Sequence, residues 1–524
     1  MSSKFNKRSR ALTIPTASPL TRRHLLQGLA FGSLASLAPA GFAAGANPGN
    51  PAAMAFGQSY APFDGPLAAA PGDGFTGTLE TADIPLRGRL PEGLRGTLYR
   101  NGPARFKLGA TRYQHWFDGD GMVQAFRIGN GKASHRGVLL RTPKLLREEA
   151  AGRFLYPAFG MPLPGGLPVS DADAVNVANI NLLPMAEGRA LFALWEGGSA
   201  LQLDPQTLAA QGFKAWSPQT RGASFSAHPR VAQDGTVWNF GYAGHSGKLL
   251  IYEIEAGGVL KRQAVFDAPQ ADMVHDFAIT ARHLVFLLMP LHLKPDAPQV
   301  GSLDRYEWRS QAPLIALVVS RADFSVKRFE LPNGGVFHLG NAWEEQGVIR
   351  LAYARYTDFL GHMQGLTLPA PSATLAQTAR WTQVELNLAQ GTARQTDVGL
   401  QCVEFPSFDR RFTGERTALT VLMQTSPGSL SQRYGPDRVL ALTAEQVQAY
   451  SYGPDWIAEE HLYVPRPNAP QAQPGWVLGT ALHRASGRTT LSVFEAATLA
   501  DGPVAQLALP YGLPLGLHGQ FVAA

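Results

Sequence analysis

The feature that most restricts the fold of this chain is the shortness of its apolar runs. Arg189–Leu194, Thr236–Tyr242, Lys248–Ile254, Leu284–Leu288, Leu314–Val319, Val348–Tyr353, Thr417–Met423 and Gly475–Leu482 each span eight residues or fewer. They are rich in Val, Ile, Leu, Phe and Tyr, and turn signals such as Asp234-Gly235 and Asn333-Gly334 punctuate them, which is strand-and-turn patterning. Only Pro143–Gly152 (PKLLREEAAG) carries a convincing helical period. Gly (55) and Pro (39) are abundant and charged residues are only 16%, a balance that favours many short strands over helices. The expected fold is all-β. Radial repetition accommodates so many strands without lengthening any sheet, which favours a β-propeller over a sandwich. No blade motif of fixed period is present, so periodicity alone leaves other all-β folds open. Cys402 is the single cysteine; with no internal disulfide, stability must come from the core.

The first 44 residues read differently. Thr21-Arg22-Arg23-His24 precedes an apolar run from Leu29 to Phe42 that closes on Ala43-Ala44-Gly45-Ala46. Paired arginines, a short apolar stretch and small residues at its end describe a twin-arginine-type signal peptide over 1–44. The run is too short for a stable bilayer span, and an uncleaved amphipathic helix is the alternative. The expected location is exported and periplasmic. This segment holds Lys4, Lys7, Arg8, Arg10, Arg22 and Arg23 and no acid, so the 46 basic residues fall to 40 beyond it, against 40 acidic. The excess of +6 belongs to the leader, and residues 45–524 give no electrostatic case for nucleic acid.

Four of the 13 histidines stand out by context. They are His228 in SAHP, His275 in MVHDF, His338 in VFHLGNA and His518 in GLHG. Each follows an apolar or small residue at a strand end or tight turn. Imidazole is a common ligand for iron, zinc and copper, and ligands spread over nearly 300 residues suit a metal on the axis of a closed architecture. No short zinc-type spacing links them, and a lone His beside a turn is more often a hydrogen-bonded core residue.

Longer motifs decide between these readings. Leu98-Tyr99-Arg100-Asn101-Gly102-Pro103, His115-Trp116-Phe117-Asp118-Gly119-Asp120-Gly121-Met122, Arg141-Thr142-Pro143-Lys144, Leu194-Trp195-Glu196, the four His segments and the final stretch around His518 occur in order. Together they resemble the carotenoid cleavage oxygenase family, which also includes stilbene-cleaving dioxygenases and the vertebrate retinoid isomerohydrolase. The resemblance implies a seven-bladed β-propeller over 45–524, capped by a dome of helices and loops. It also implies Fe(2+) on the axis held by His228, His275, His338 and His518, with O2 as co-substrate. Three carboxylates would orient the ligands: Glu196 for His275, Glu404 for His338 and Glu460 for His518, with Glu459 an alternative to the last. A carboxylate on the far ring nitrogen fixes the tautomer and strengthens the donor. His228 has no such partner in this scheme, and His115 falls outside the ligand set, as do His283, His292 and His461.

The implied reaction is oxidative cleavage of a C=C bond into two carbonyl products, with no catalytic residue beyond the metal centre. Stilbene-cleaving members carry a lysine just before the first carboxylate; here Trp195 stands there. That favours a hydrophobic carotenoid or apocarotenoid polyene over a hydroxystilbene. Ile180 occupies a position near the metal that is often threonine in the family. Ala472-Gln473-Pro474-Gly475 replaces an acidic run common there. The apolar segment Phe154–Pro164 would lie in the dome, either touching a membrane or buried as a loop. Cleavage of a stilbene or phenylpropenoid, an aromatic alkene, is the second reading, and a non-catalytic polyene carrier the third.

Overall fold

The structure, a computed structural model, describes residues 77–243, 246–294, 302–366, 379–426, 435–470 and 473–524. The expected signal segment 1–44 and Ala472 lie outside them. The strands assemble into seven antiparallel sheets of four or five strands and two small two-stranded ribbons. Inner strands of successive sheets contact one another around a ring, so the seven sheets are the blades of a β-propeller.

Closure uses both ends of the described chain. Blade I runs Thr78–Thr81, Lys132–Leu139, Asp120–Gly129, Gly96–Arg105 and, innermost, His518–Ala523. Blade VII takes Leu86–Gly88 as its outer strand and Trp456–Val464 as its inner one. The last strand therefore completes the first blade, and an early strand completes the last. The register sets Asn101 opposite His518 and Arg100 opposite Gly519.

The eight apolar runs fall on strands, and each is the second or third strand of its blade, as with Val237–Ala243 and Lys248–Ile254 in blade III. Such strands are covered on both faces by neighbouring blades: Lys248–Ile254 is buried throughout beyond its first residue, so it reads as a continuous apolar run. Outer strands meet water. Lys132–Leu139 alternates between buried and partly exposed residues, and Thr392–Gln401 has no buried residue at all.

The predicted helix is present at Pro143–Ala151. Thr142 Oγ1 accepts from Leu145 N–H, Pro143 opens the first turn, and Gly152 (φ 65°) ends it in the left-handed region, an N-cap and C-cap of common type. A second helix, Phe359–Gly365, buries Phe359 and Met363; it is too short to have shown a period in the sequence. These helices form the dome with the loops around 115–118 and 154–164 and the ribbon of Leu291–Leu293 with Tyr306–Trp308. Trp116 N–H donates to Leu366 O and Leu303 N–H to Phe159 O. The dome segment 154–164 turns inward: Phe154, Leu155, Tyr156 and Met161 are buried, and Phe154 stacks on Tyr113 at 3.9 Å.

A buried polar side chain crosses each of the seven seams between blades. Asn101 Nδ2 donates to Ala178 O and Asn181 O, and Asn181 Nδ2 to Ala227 O. Ser226 Oγ donates to His275 O, and Asp276 Oδ2 accepts from Leu339 N–H. Asn341 Nδ2 donates to Phe412 O and Glu415 O, and Ser407 Oγ accepts from Tyr463 N–H. Arg100 Nη1 closes the ring on Glu460 O at 2.9 Å. Neighbouring blades have no strand ladder in common, so these bonds satisfy backbone groups that would otherwise be buried unpaired. They also fix the height of each inner strand against the next.

Candidate metal centre

Every blade sends one side chain to the axis. His518 heads the inner strand of blade I, His228 precedes Arg230–Val231 in blade III, His275 precedes Phe277–Ile279 in blade IV, and His338 lies within Gly335–Glu345 of blade V. Glu196 comes from the end of Ala190–Leu194 in blade II, Glu404 from Val403–Phe408 in blade VI, and Glu460 from Trp456–Val464 in blade VII. The inner strands do not run true here. Register shifts fall between Val336 and Leu339, between Glu404 and Ser407, and between Ala458 and His461. Bulges of this kind re-aim side chains that simple alternation would turn away. Around Glu404 the backbone enters the left-handed region twice, at Cys402 (φ 60°) and Phe405 (φ 54°), conformations that non-glycine residues adopt only where the surroundings enforce them.

All four histidines are buried, and their ligand atoms lie within 4.8 Å of one another. Nε2 of His228 and His275 are 2.9 Å apart, those of His275 and His338 3.3 Å, and those of His338 and His518 3.1 Å. Ring nitrogens about 2.1 Å from a common metal, at right angles, would be about 3.0 Å apart. Four Nε2 atoms converging at this spacing fit one cation and little else. Imidazoles this close repel one another once protonated. Burial and then the neighbouring imidazoles hold His228 well below its ordinary range. Burial outweighs Glu460 at His518, which falls to about 4. At His338 burial pulls down as well, but the charge and hydrogen bond of Glu404 prevail and the imidazole is raised.

The outward nitrogens meet the expected carboxylates. His275 Nδ1–H donates to Glu196 Oε2 at 2.5 Å, His338 Nδ1–H to Glu404 Oε2 at 2.5 Å, and His518 Nδ1–H to Glu460 Oε1 at 3.0 Å. Glu459 turns elsewhere, to Thr480 Oγ1 and Gly516 N–H. His228 has no carboxylate; its backbone N–H donates to Ser226 Oγ at 3.1 Å. Burial raises Glu404 and Glu460, but the histidines they hold reverse this and leave both below the usual carboxylate range. Four imidazole nitrogens, three of them backed by carboxylates, form a donor set that suits a divalent transition metal.

A further layer escaped the sequence reading. Tyr242 O–H donates to Glu196 Oε1, Tyr356 O–H to Glu404 Oε1 at 2.7 Å, and Arg100 Nη1 approaches Glu460 Oε2 at 3.4 Å. Arg100 lies in a motif already noted, but neither tyrosine carries any signal in its local sequence.

The histidines left outside the ligand set by the sequence are held elsewhere. His115 Nε2 bonds Met363 O, and its Nδ1 accepts from Phe117 N–H. His283 pairs with Glu344, His292 with Asp272, and His461 with Tyr452 and Glu459 O. Ile180 is buried in an apolar cluster with Ala227 and Leu517, each adjacent to a ligand, and Trp195, Trp116 and Phe117 pack against it. Phe405 lies over His338 and His518 at 5.2 and 5.4 Å, and Phe337 meets His275 at 5.2 Å. The ligands thus sit among aromatic and aliphatic walls.

Comparison with known proteins agrees with this geometry. A family model described as "Retinal pigment epithelial membrane protein", RPE65, matches residues 75–523. The apocarotenoid-15,15'-oxygenase of Synechocystis is 29% identical over 464 residues, covering 83% of this chain and 92% of that protein. An isoeugenol monooxygenase of Pseudomonas putida is 26% identical over 462 residues, covering 83% and 94%. A crystal structure of cobalt-substituted ACO from Synechocystis superposes with a TM-score of 0.75 at 25% identity, over 88% of this chain and 98% of that one.

Proposed function

This chain belongs to the RPE65 family of carotenoid cleavage oxygenases, and on that premise we propose that it is an iron(II) dioxygenase that cleaves a C=C bond of an apocarotenoid or carotenoid. The observation that carries the proposal is the convergence of four imidazoles on one point, three of them backed by carboxylates. Iron(II) bound by His228, His275, His338 and His518 would supply activation of dioxygen next to an electron-rich double bond, giving two carbonyl products.

The chain's own groups bind and orient. Glu196, Glu404 and Glu460 are each engaged at both oxygens, by a histidine and by Tyr242, Tyr356 or Arg100. These contacts give the carboxylates an orienting role, and the reaction is assigned to the metal centre without a catalytic acid or base. Ile180, Trp195, Phe337 and Phe405 offer apolar surface on which a conjugated chain would lie beside the ligands, excluding water from the reacting bond.

Trp195 in place of a lysine favours a polyene without a phenolic anchor. The likeness to an isoeugenol monooxygenase favours a second reading, cleavage of an aromatic alkene. We assign the exposed Leu146 and Leu167, on either side of the buried segment 154–164, as the side chains through which the dome meets a lipid surface. The paired arginines 22 and 23 before a short apolar run support a reading of twin-arginine export to the periplasm.

The test is product mass after aerobic incubation of the iron(II)-loaded protein with an apocarotenal and a hydroxystilbene. Two aldehyde or ketone fragments from the polyene are expected. Turnover of the stilbene alone overturns the polyene assignment, and polyene binding without oxygen consumption makes the protein a carrier.

A further inference from the structure

The three buttressed ligands end in unlike groups. The arms of His275 and His338 end in tyrosine phenols, but the arm of His518 ends in a cation. Arg100 is 2% exposed. Its Nη1 donates to Glu460 O at 2.9 Å and lies 3.4 Å from Glu460 Oε2, while Nη2 lies 3.7 Å from Glu459 Oε2. Gly519 N–H donates to the same Glu460 Oε2 at 2.7 Å. Gln124, Glu459 and Thr480 line a small cavity beside the guanidinium together with the apolar Met122, Leu513 and Pro514.

The place of Arg100 in the chain gives this contact its meaning. It belongs to blade I, Glu459 and Glu460 belong to blade VII, and His518 lies on the strand that pairs with Gly96–Arg105 to complete the ring. The seam it crosses joins the first blade to the last. A buried guanidinium facing two carboxylates costs several kcal/mol if one partner is removed, because the other charges stay buried. Its planar fork reaches a carbonyl and two carboxylates at once, which a lysine ammonium does not reproduce.

Resting on the reading of the four histidines as a divalent-metal site, we propose that Arg100 is the positioning residue of the Glu460–His518 arm, coupling closure of the propeller to retention of the metal. Loss of Arg100 leaves Glu460 Oε2 held by Gly519 N–H alone, and the ligand nearest the closing seam loosens first. Conversely, metal binding at His518 pulls the last strand and the last blade together.

The experiment titrates Co(II), in competition with a chelator, into the wild type, Arg100→Gln, Arg100→Lys and Leu491→Ala, the last opening a cavity in the core of blade VII on Arg488–Glu495, away from the inner strands. Visible Co(II) absorption and melting temperature are recorded with and without metal. Arg100→Gln is expected to lose about 10–100-fold in Co(II) affinity, to alter the Co(II) spectrum, and to lose most of the metal-induced rise in melting temperature. Arg100→Lys is expected to recover part of the affinity. It carries the same comparison if the glutamine variant does not fold. Leu491→Ala is expected to melt lower while keeping wild-type affinity and spectrum. An Arg100→Gln protein of reduced stability with wild-type affinity and spectrum overturns the proposal alone. A wild type that binds no Co(II) overturns the metal reading and this proposal with it.

Discussion

Tyr356 and Glu404 form a buried phenol–carboxylate pair, with the O–H donating to Oε1 at 2.7 Å, and the other carboxylate oxygen takes the Nδ1–H of His338 at 2.5 Å. One carboxylate is thus shared between a ligand and a neutral donor that holds it in place. Glu404→Gln removes the charge that favours a strongly donating imidazole, and metal affinity should fall about 10–100-fold. Tyr356→Phe removes one neutral hydrogen bond worth about 1 kcal/mol, so its loss should stay within roughly tenfold. Chelator competition measures both, and a larger effect from Tyr356→Phe would reverse the roles assigned here.

Removing metal should destabilise the fold, because the ligands come from four different blades. A ligand at a hundred times its dissociation constant adds about 2.7 kcal/mol. Scanning calorimetry before and after chelation should show a lower melting temperature. Fe(II) or Co(II) should restore it and Mg(II) should not, since the site offers nitrogen rather than oxygen donors. Indifference to chelation would contradict a metal bridging the blades.

Asp118 predicts a pH dependence away from the metal. Burial raises its carboxyl to about 7, although backbone N–H groups of Gly160 and Phe159 pull it down. A folded-state value above the unfolded 3.8 means that the neutral form is the one the fold favours. That contribution is fully present below about pH 4 and is lost as pH rises through about 7. Asp118→Asn keeps an acceptor for Gly160 N–H. It should flatten the fall in stability between pH 4 and 7, a difference on the order of 4 kcal/mol. Urea midpoints at pH 4.5 and 7.5 test this, and parallel slopes in the two proteins would refute it.

Trp195 should set substrate preference. Trp195→Lys puts an ammonium beside Glu196 and takes apolar surface from the cluster around Ile180. The ratio of kcat/KM for a 4-hydroxystilbene to that for an apocarotenal should rise at least about tenfold, roughly 1.4 kcal/mol of discrimination. An unchanged ratio would place Trp195 outside the substrate site.

The motifs held more than the ligands they were noticed for. Asn101, Ser226, Asp276 and Asn341 each stand in a motif singled out by resemblance, and each crosses a seam between blades. A motif such as Ser226-Ala227-His228-Pro229 carries a ligand and, two residues earlier, the hydroxyl that fixes the height of its strand. Tyr242 and Tyr356 were illegible because each reaches its carboxylate from another part of the chain, 46 and 48 residues away, and nothing local distinguishes a phenol that will meet one.

By itself the sequence determined the middle of every blade but the first. Strands such as Lys248–Ile254 are covered on both faces, so burial alone dictates an unbroken apolar run. The outer strands Lys132–Leu139 and Thr392–Gln401 meet solvent and leave no such run. The inner strands bulge at His338, Glu404 and Glu460, so neither of the simple periods describes them. Only closure of the ring decided that four histidines up to 290 residues apart share one point. It also decided that Glu460, not Glu459, meets His518, because the last strand pairs with the first blade and sets Arg100 against blade VII. Those distances are fixed by how blades stack, which no local spacing records.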